Sequence, residues 1–177
     1  MIICFAGGTY GDIVTVMLDS KNCKLVQDKG YPIFTLPKDR IKLKLPHLFL
    51  NAEEKNNYIK QMNKKYLSIP SHDLDFHLQN KHNFFGVVCE DKNLRLKASK
   101  RFKTLYQNPE NMSNSTSIEQ YANDILEMSK KIINSGNQYI DLAQIISGNL
   151  IDVIERKHNI EINEKNKNFY KNWLKLQ

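Results

Sequence analysis

CFAGGTYGDIVTVMLDS, residues 4–20, follows directly on Met1-Ile2-Ile3. The short apolar start, the glycines at Gly7, Gly8 and Gly11, and the apolar run after them read as strand, tight loop and helix. That arrangement aims unpaired N–H groups and a partial positive charge at whatever lies above the helix start. A phosphate cradle of the general P-loop type ends in Gly-Lys-Ser/Thr, but Gly11 is followed here by Asp12 and Ile13. An acidic residue in the first helical turn is also what an ordinary helix prefers. The stretch is therefore either a phosphate-binding loop of altered chemistry or a turn whose glycines serve close packing.

Outward from this opening, continuously apolar runs at Ile2–Ala6, Tyr66–Pro70, Phe84–Cys89 and Gln138–Leu142 predict strands buried on both faces. Between them lie segments of helical period. Ile13, Val16 and Met17 share a face after the glycine loop, and Asn51 with Glu54 predicts a capped helix running towards Tyr66. Leu94, Ala98, Phe102 and Leu105 form a stripe in a basic segment. Thr116 with Glu119 predicts another capped helix, carried on by Tyr121, Ala122, Ile125, Met128 and Ile132 and closed by Gly136. Residues 145–154 and 170–176 predict further helical pieces. Pro32, Pro37 and Pro46 predict irregular or short edge structure over 30–48, and 107–116 reads as a polar surface loop. Strands alternating with helices imply an α/β fold, a three-layer parallel sheet with helices on both faces. Residues 1–177 form one domain in this reading, with no repeat or long linker.

Twenty-six Lys and Arg against nineteen Asp and Glu give a net charge of +7. That excess suits a polyanionic partner, such as a phosphorylated cofactor, nucleic acid or an acidic protein face, and equally a solvated surface. Cys4, Cys23 and Cys89 are odd in number and lack metal-type spacing, so a reduced, cytoplasmic setting and no metal are expected. The opening lacks the basic segment of a signal peptide, and no apolar stretch approaches a membrane helix. Richness in Asn, Lys and Ile points to an AT-rich genome, bacterial or viral.

Two later strands give the opening a context. Tyr66-Leu67-Ser68-Ile69-Pro70 runs into Ser71-His72-Asp73, so a histidine stands just past the carboxyl end of a strand, where open α/β sheets bind ligands. Phe84–Cys89 leads through Glu90-Asp91 into a helix carrying Ala98-Ser99. In this order the glycine loop, the Ser-His and the strand–turn–helix resemble the P-loop sulfotransferases. Tyr139-Ile140-Asp141-Leu142 and Trp173-Leu174 resemble that family's late strand and its tryptophan near the chain end. The resemblance implies transfer of a sulfuryl group from the nucleotide donor PAPS, with PAP as product, to a hydroxyl acceptor. It implies a donor-binding loop over Gly7, Gly8, Thr9, Tyr10, Gly11, Asp12 and Ile13, and His72 as general base. Ser99 would hold the donor's 3′-phosphate. The family's loop lysine aligns with Thr9, its paired threonines with Asp12 and Ile13, and its 3′-phosphate arginine with Asp91. Lys92, Arg95, Lys97 and Arg101 are the nearby cations able to substitute, Arg95 foremost.

Other residues carry plainer readings. His72 could instead be a strand-end histidine bonded to Asp73. His77 and His82 bracket a polar loop and are expected to face solvent, and His47 and His158 lack ligand partners nearby. The basic run 92–103 alternates with an apolar stripe and brings no stacking platform, which weighs against a nucleic-acid face. Trp173 with Phe169 and Tyr170 predicts a segment docked on the core. Two functions therefore compete: a small sulfotransferase-like enzyme, and a non-catalytic structural or interaction protein, such as a phage or viral component with a protein partner, that keeps the fold without the donor. A third, the donor-domain opening of a glycosyltransferase, fits Gly8-Thr9-Tyr10-Gly11-Asp12, but the chain is too short for the two domains such enzymes carry.

Overall fold

A computed structural model describes residues 1–45, 48–106 and 117–177. The predicted loop 107–116, with the expected cap at Thr116, and His47 lie outside the described residues. A parallel sheet of four strands, β1 (Ile2–Cys4), β4 (Ile69–Ser71), β5 (Phe84–Val88) and β6 (Gln138–Asp141), runs in the order β4-β1-β5-β6. Ile2 pairs with Ile69 on one side and Phe84 on the other. Taken alone, these strands follow the doubly wound order second, first, third, fourth, in which chain direction across the sheet reverses between β1 and β5. Ligand crevices open at the carboxyl end of such a reversal.

Alternation along β1 divides the core into two faces. Ile3 and Phe5 pack with Val14 and Met17 of α1 (Gly11–Leu18) and with Tyr170 and Trp173 of α9 (Glu164–Lys175). Ile2 and Cys4 pack with Ile59 and Met62 of α3 (Ala52–Lys65), Phe76 of α4 (Leu74–Gln79) and Ile132 of α6 (Ile118–Asn134). The fold is thus α/β, a four-stranded parallel sheet flanked by helices. Trp173 is fully buried, so the segment 169–173 is docked on the core as its aromatic content predicts. All three cysteines are free and buried.

Several boundaries differ from those in the sequence reading, each for a local reason. The strand expected at Tyr66–Pro70 starts only at Ile69, because Tyr66 turns inward as the cap of α3 while Leu67 is exposed. Residues 24–35 form a β-hairpin, β2 (Lys24–Asp28) and β3 (Tyr31–Thr35), the second strand falling in the stretch 30–48 expected to be irregular or short edge structure. Lys29 and Gly30, both at positive φ (47° and 82°), make its two-residue turn, and Pro32 is tolerated because the ribbon has two strands among the described residues. Beyond it come the short α2 (Lys38–Ile41) and a 3-10 turn at Lys42–Lys44. The helix expected over 145–154 is broken at Gly148 (φ 90°) into α7 (Leu142–Ile146) and α8 (Leu150–Asp152), the latter continuing as a π-turn to Lys157.

The caps carry the helix signals. Asn51 Oδ1 accepts the Glu54 N–H at 2.8 Å, but the Glu54 carboxylate reaches the Leu50 N–H instead of closing the box on Asn51. Asn51→Ala is expected to lower stability by about 1 kcal/mol, read as a shift in the thermal midpoint. Ser117 caps α6 by accepting from Gln120 N–H, and Gly136 follows its end at φ 73°. Between β3 and β4, the fully buried Arg40 ties α2 to the sheet edge. Its guanidinium donates to Ser68 O, Ser68 Oγ and Thr15 O, touches Cys23 Sγ, and lies 3.8 Å from Asp19.

Candidate functional site

At the carboxyl end of β1 and β4 a cavity of about 320 Å³ opens, lined in part by Gly7, Gly8, Tyr10, Asp12 and His72. The chain reaches it because β1 hands over to a loop pressed hard against α5 (Lys92–Tyr106). Gly8 sits at φ 80°, and a Cβ there would lie 2.2 Å from the Ala98 carbonyl oxygen, so no side chain fits. A Cβ on Gly11 would meet the Phe5 ring at 2.0 Å, and one on Gly7 the Phe102 ring at 2.3 Å. The glycines of the opening stretch are thus required by close packing. Thr9 is fully buried, its hydroxyl donating to Ala6 O at 2.6 Å, and Ile13 is buried in the core beneath α1.

The loop delivers Tyr10 in the left-handed conformation (φ 60°) as the residue before α1, with no side-chain cap. Ile13 N–H bonds back to Tyr10 O, while the Gly11 and Asp12 N–H groups have no hydrogen-bond partner among the described residues. Asp12 does not stand as a bare negative charge here. Lys44, from the 3-10 turn, grips both its carboxylate oxygens at 3.0 and 2.9 Å. Lys44 also lines the cavity and lies over the Phe5 ring. Nothing in the sequence pairs Asp12 with Lys44, since the contact depends on how 38–45 folds back over the sheet edge.

His72 follows β4 and lines the cavity beside Phe5. Its Nδ1 lies 2.6 Å from Phe5 O. A carbonyl only accepts, so Nδ1 carries the proton and Nε2 keeps its lone pair. Nε2 has no hydrogen-bond partner among the described residues. Asp73, the partner weighed for it in the sequence, turns away to cap α4 and pair with Lys55. Burial and, next, the Lys44 charge push the imidazole down to about 4, so the ring is neutral at pH 7.

The residues expected to hold a 3′-phosphate are placed elsewhere. Ser99 is fully buried and its hydroxyl donates to Arg95 O within α5 at 2.8 Å. The buried Arg95 guanidinium turns to the carbonyls of Cys89 and Glu90 at the end of β5. Neither lines the cavity. Ser99→Ala is expected to change ligand affinity less than about twofold in a direct titration, since the hydroxyl has no face towards the site. Arg101, two residues past Ser99 on α5, does line it. No group of His, Cys, Asp and Glu fit to hold a metal exists among the described residues, and no described helix is long and apolar enough to cross a membrane.

His77 is not the solvent-facing loop histidine expected from the sequence. It is buried, with Nε2 2.8 Å from Ser71 Oγ and Nδ1 3.0 Å from His82 Nδ1. Burial first, then His82, lowers it to about 4. His72 and His77 thus take up protons more readily when unfolded, and stability falls as pH drops from 6.5 towards 4. A slope on the order of 1 kcal/mol per pH unit is expected in urea unfolding across that window, and a flat profile would contradict both placements.

Comparison with family models, with curated proteins and with solved structures returns no match.

Proposed function

We propose that this protein is a small group-transfer enzyme of sulfotransferase-like type, working at the carboxyl edge of its sheet. The cavity takes the sulfuryl- or phosphoryl-bearing end of a nucleotide donor, and a hydroxyl acceptor meets it beside His72. As the hydroxyl oxygen bonds to the sulfur or phosphorus of the transferred group, its proton passes to His72 Nε2, the bond from that atom to the nucleotide's phosphate oxygen breaks, and the nucleotide leaves with the bond electrons on that oxygen. One observation carries the reading: His72 lines the same cavity as the unpaired start of α1, and Phe5 O occupies its Nδ1, so Nε2 is its open nitrogen. Phe5 O fixes the tautomer, so the lone pair is held ready without reorganisation.

The site fits one end of PAPS better than the other. The start of α1 and the cavity cations suit the 5′-phosphosulfate. The inward-turned Ser99 and Arg95 leave the 3′-phosphate without the seat that the resemblance implies. Calorimetric titration tests the reading with PAP, ADP and adenosine 5′-phosphosulfate. Saturable binding of at least one supports it, and no heat with any of them removes the donor. An anion in the cavity offsets the Lys44 charge, so His72, followed by NMR, is expected to titrate higher in the bound protein than in the free one.

The second reading, a non-catalytic interaction protein, draws on a different observation. Packing alone accounts for Gly7, Gly8 and Gly11. Absence of nucleotide binding together with an unshifted His72 would favour it.

A further inference from the structure

We infer that Arg101 anchors the anionic end of a ligand in this cavity, and that the ligand is a phosphate or sulfate ester borne on a flat apolar body. The inference deepens the reading above and rests on its placing of the ligand here.

Arg101 is only 7% exposed, yet no carboxylate pairs with it among the described residues. Its Nε–H is buried without a hydrogen-bond partner, and Nη1 reaches Gly8 O at a long 3.3 Å. The guanidinium carbon lies 4.0 Å from the centre of the Tyr10 ring. A buried cation is ordinarily paired, because desolvation is repaid only by a close opposite charge. Of the other buried or half-buried cations around this edge, Arg40 has Asp19, Lys44 has Asp12 and Lys55 has Asp73, while Arg95 has two backbone carbonyls. Arg101 has two tyrosine rings, Tyr10 and Tyr31, and a carbonyl. The counter-charge it lacks is an anion entering from the cavity, where the unpaired start of α1 lies close by along the chain. A guanidinium with a free N–H edge suits the oxygens of a phosphate or sulfate group.

The rest of the wall sets the body of the ligand. Phe5, Tyr10, Ile41, Leu45 and Phe102 are apolar or aromatic, and Phe102 lies stacked on Tyr121 at 4.7 Å, a rigid flat surface. At about 320 Å³ the space is at the small end for ligand sites, right for one planar group with its ester and too small for an extended chain. Arg95 is the internal contrast: its Nε is also unpartnered, but two carbonyls take up its guanidinium and it does not line the cavity.

Titration of 4-nitrophenyl phosphate, 4-nitrophenyl sulfate, PAP and inorganic phosphate into the wild type and Arg101→Met tests the inference. The aryl esters are expected to bind more tightly than inorganic phosphate, and Arg101→Met to weaken them by about tenfold or more. The free variant is expected to melt at the same temperature as the wild type or higher, since it loses an unpaired buried charge. A structural brace behaves the opposite way, losing stability and keeping affinity. In arginine-labelled wild type the Arg101 Nε–H resonance is expected to move on titration, so the test stands even if the variant misfolds. Equal affinity in the two proteins, or an unmoved resonance at saturation, overturns the inference while leaving His72 as base intact. Ester binding that needs Arg101 while PAP does not bind leaves Arg101 as the anchor and removes the nucleotide donor.

Discussion

Arg40→Met is expected to lower folding stability by about 3–5 kcal/mol, seen as a lower urea midpoint with little change in its steepness. Methionine matches the stem of arginine but donates nothing. Its loss strands Ser68 O and leaves the Asp19 carboxylate without its cation, in a site with no water-exposed face for Arg40, while Thr15 O keeps the Asp19 N–H and the Ser68 hydroxyl. Each unsatisfied buried acceptor costs roughly 1–3 kcal/mol, and the uncompensated carboxylate adds to it. The Tyr66 ring, 5.0 Å from the guanidinium, loses its cation as well. Lysine in the same place keeps the charge but cannot span the separate acceptors, so Arg40→Lys is expected to recover less than half of the loss. The consequence reaches function, because Arg40 fixes the segment that leads into Lys44, and Lys44 neutralises Asp12 at the cavity. A variant within about 0.5 kcal/mol of wild type would show that the segment is held by something else.

His72→Gln is expected to lower kcat for transfer to a hydroxyl by about 10²–10⁴-fold with KM changed far less. Glutamine can still donate to Phe5 O, so the β4 end keeps its bond, while the lone pair that takes the proton is gone. The split between kcat and KM matters because a packing defect would move both. In the wild type the acid limb of kcat/KM should fall towards the imidazole value of about 4, since only the neutral ring accepts a proton. A ring this easily deprotonated is a weak base in the free protein, and the bound anion is what strengthens it. Activity in His72→Gln equal to wild type would take the base role away from this residue.

Much of the architecture was legible because burial leaves a direct trace in the sequence. The apolar runs Ile2–Ala6, Tyr66–Pro70, Phe84–Cys89 and Gln138–Leu142 each contain or overlap one strand of the sheet, and Asn51 and Gly136 mark helix ends by their capping chemistry. The hairpin at Lys24–Thr35 was hidden by Pro32, although Asp28-Lys29-Gly30 carried its turn. At the site, the order of the motifs identified the edge, and Gly7, Gly8, Tyr10, Asp12 and His72 do converge on it. What spacing could not reveal was which way helix side chains face. Ser99 and Arg101 stand two positions apart on α5, and a rotation of about 200° separates them. Spacing therefore favours the buried hydroxyl of Ser99 and puts Arg95 ahead of Arg101, the cation that reaches the cavity. Lys44 was invisible for a different reason: its meeting with Asp12 is long-range, set by Arg40 and the fold of the preceding hairpin.

A crystal structure of the protein with PAP tests the central claim most directly. The account predicts a phosphate lying between the first N–H groups of α1 and the Arg101 guanidinium, with His72 Nε2 turned towards it across the cavity. A cavity filled by its own side chains, or a nucleotide bound elsewhere with His72 Nε2 engaged by the protein, would contradict it.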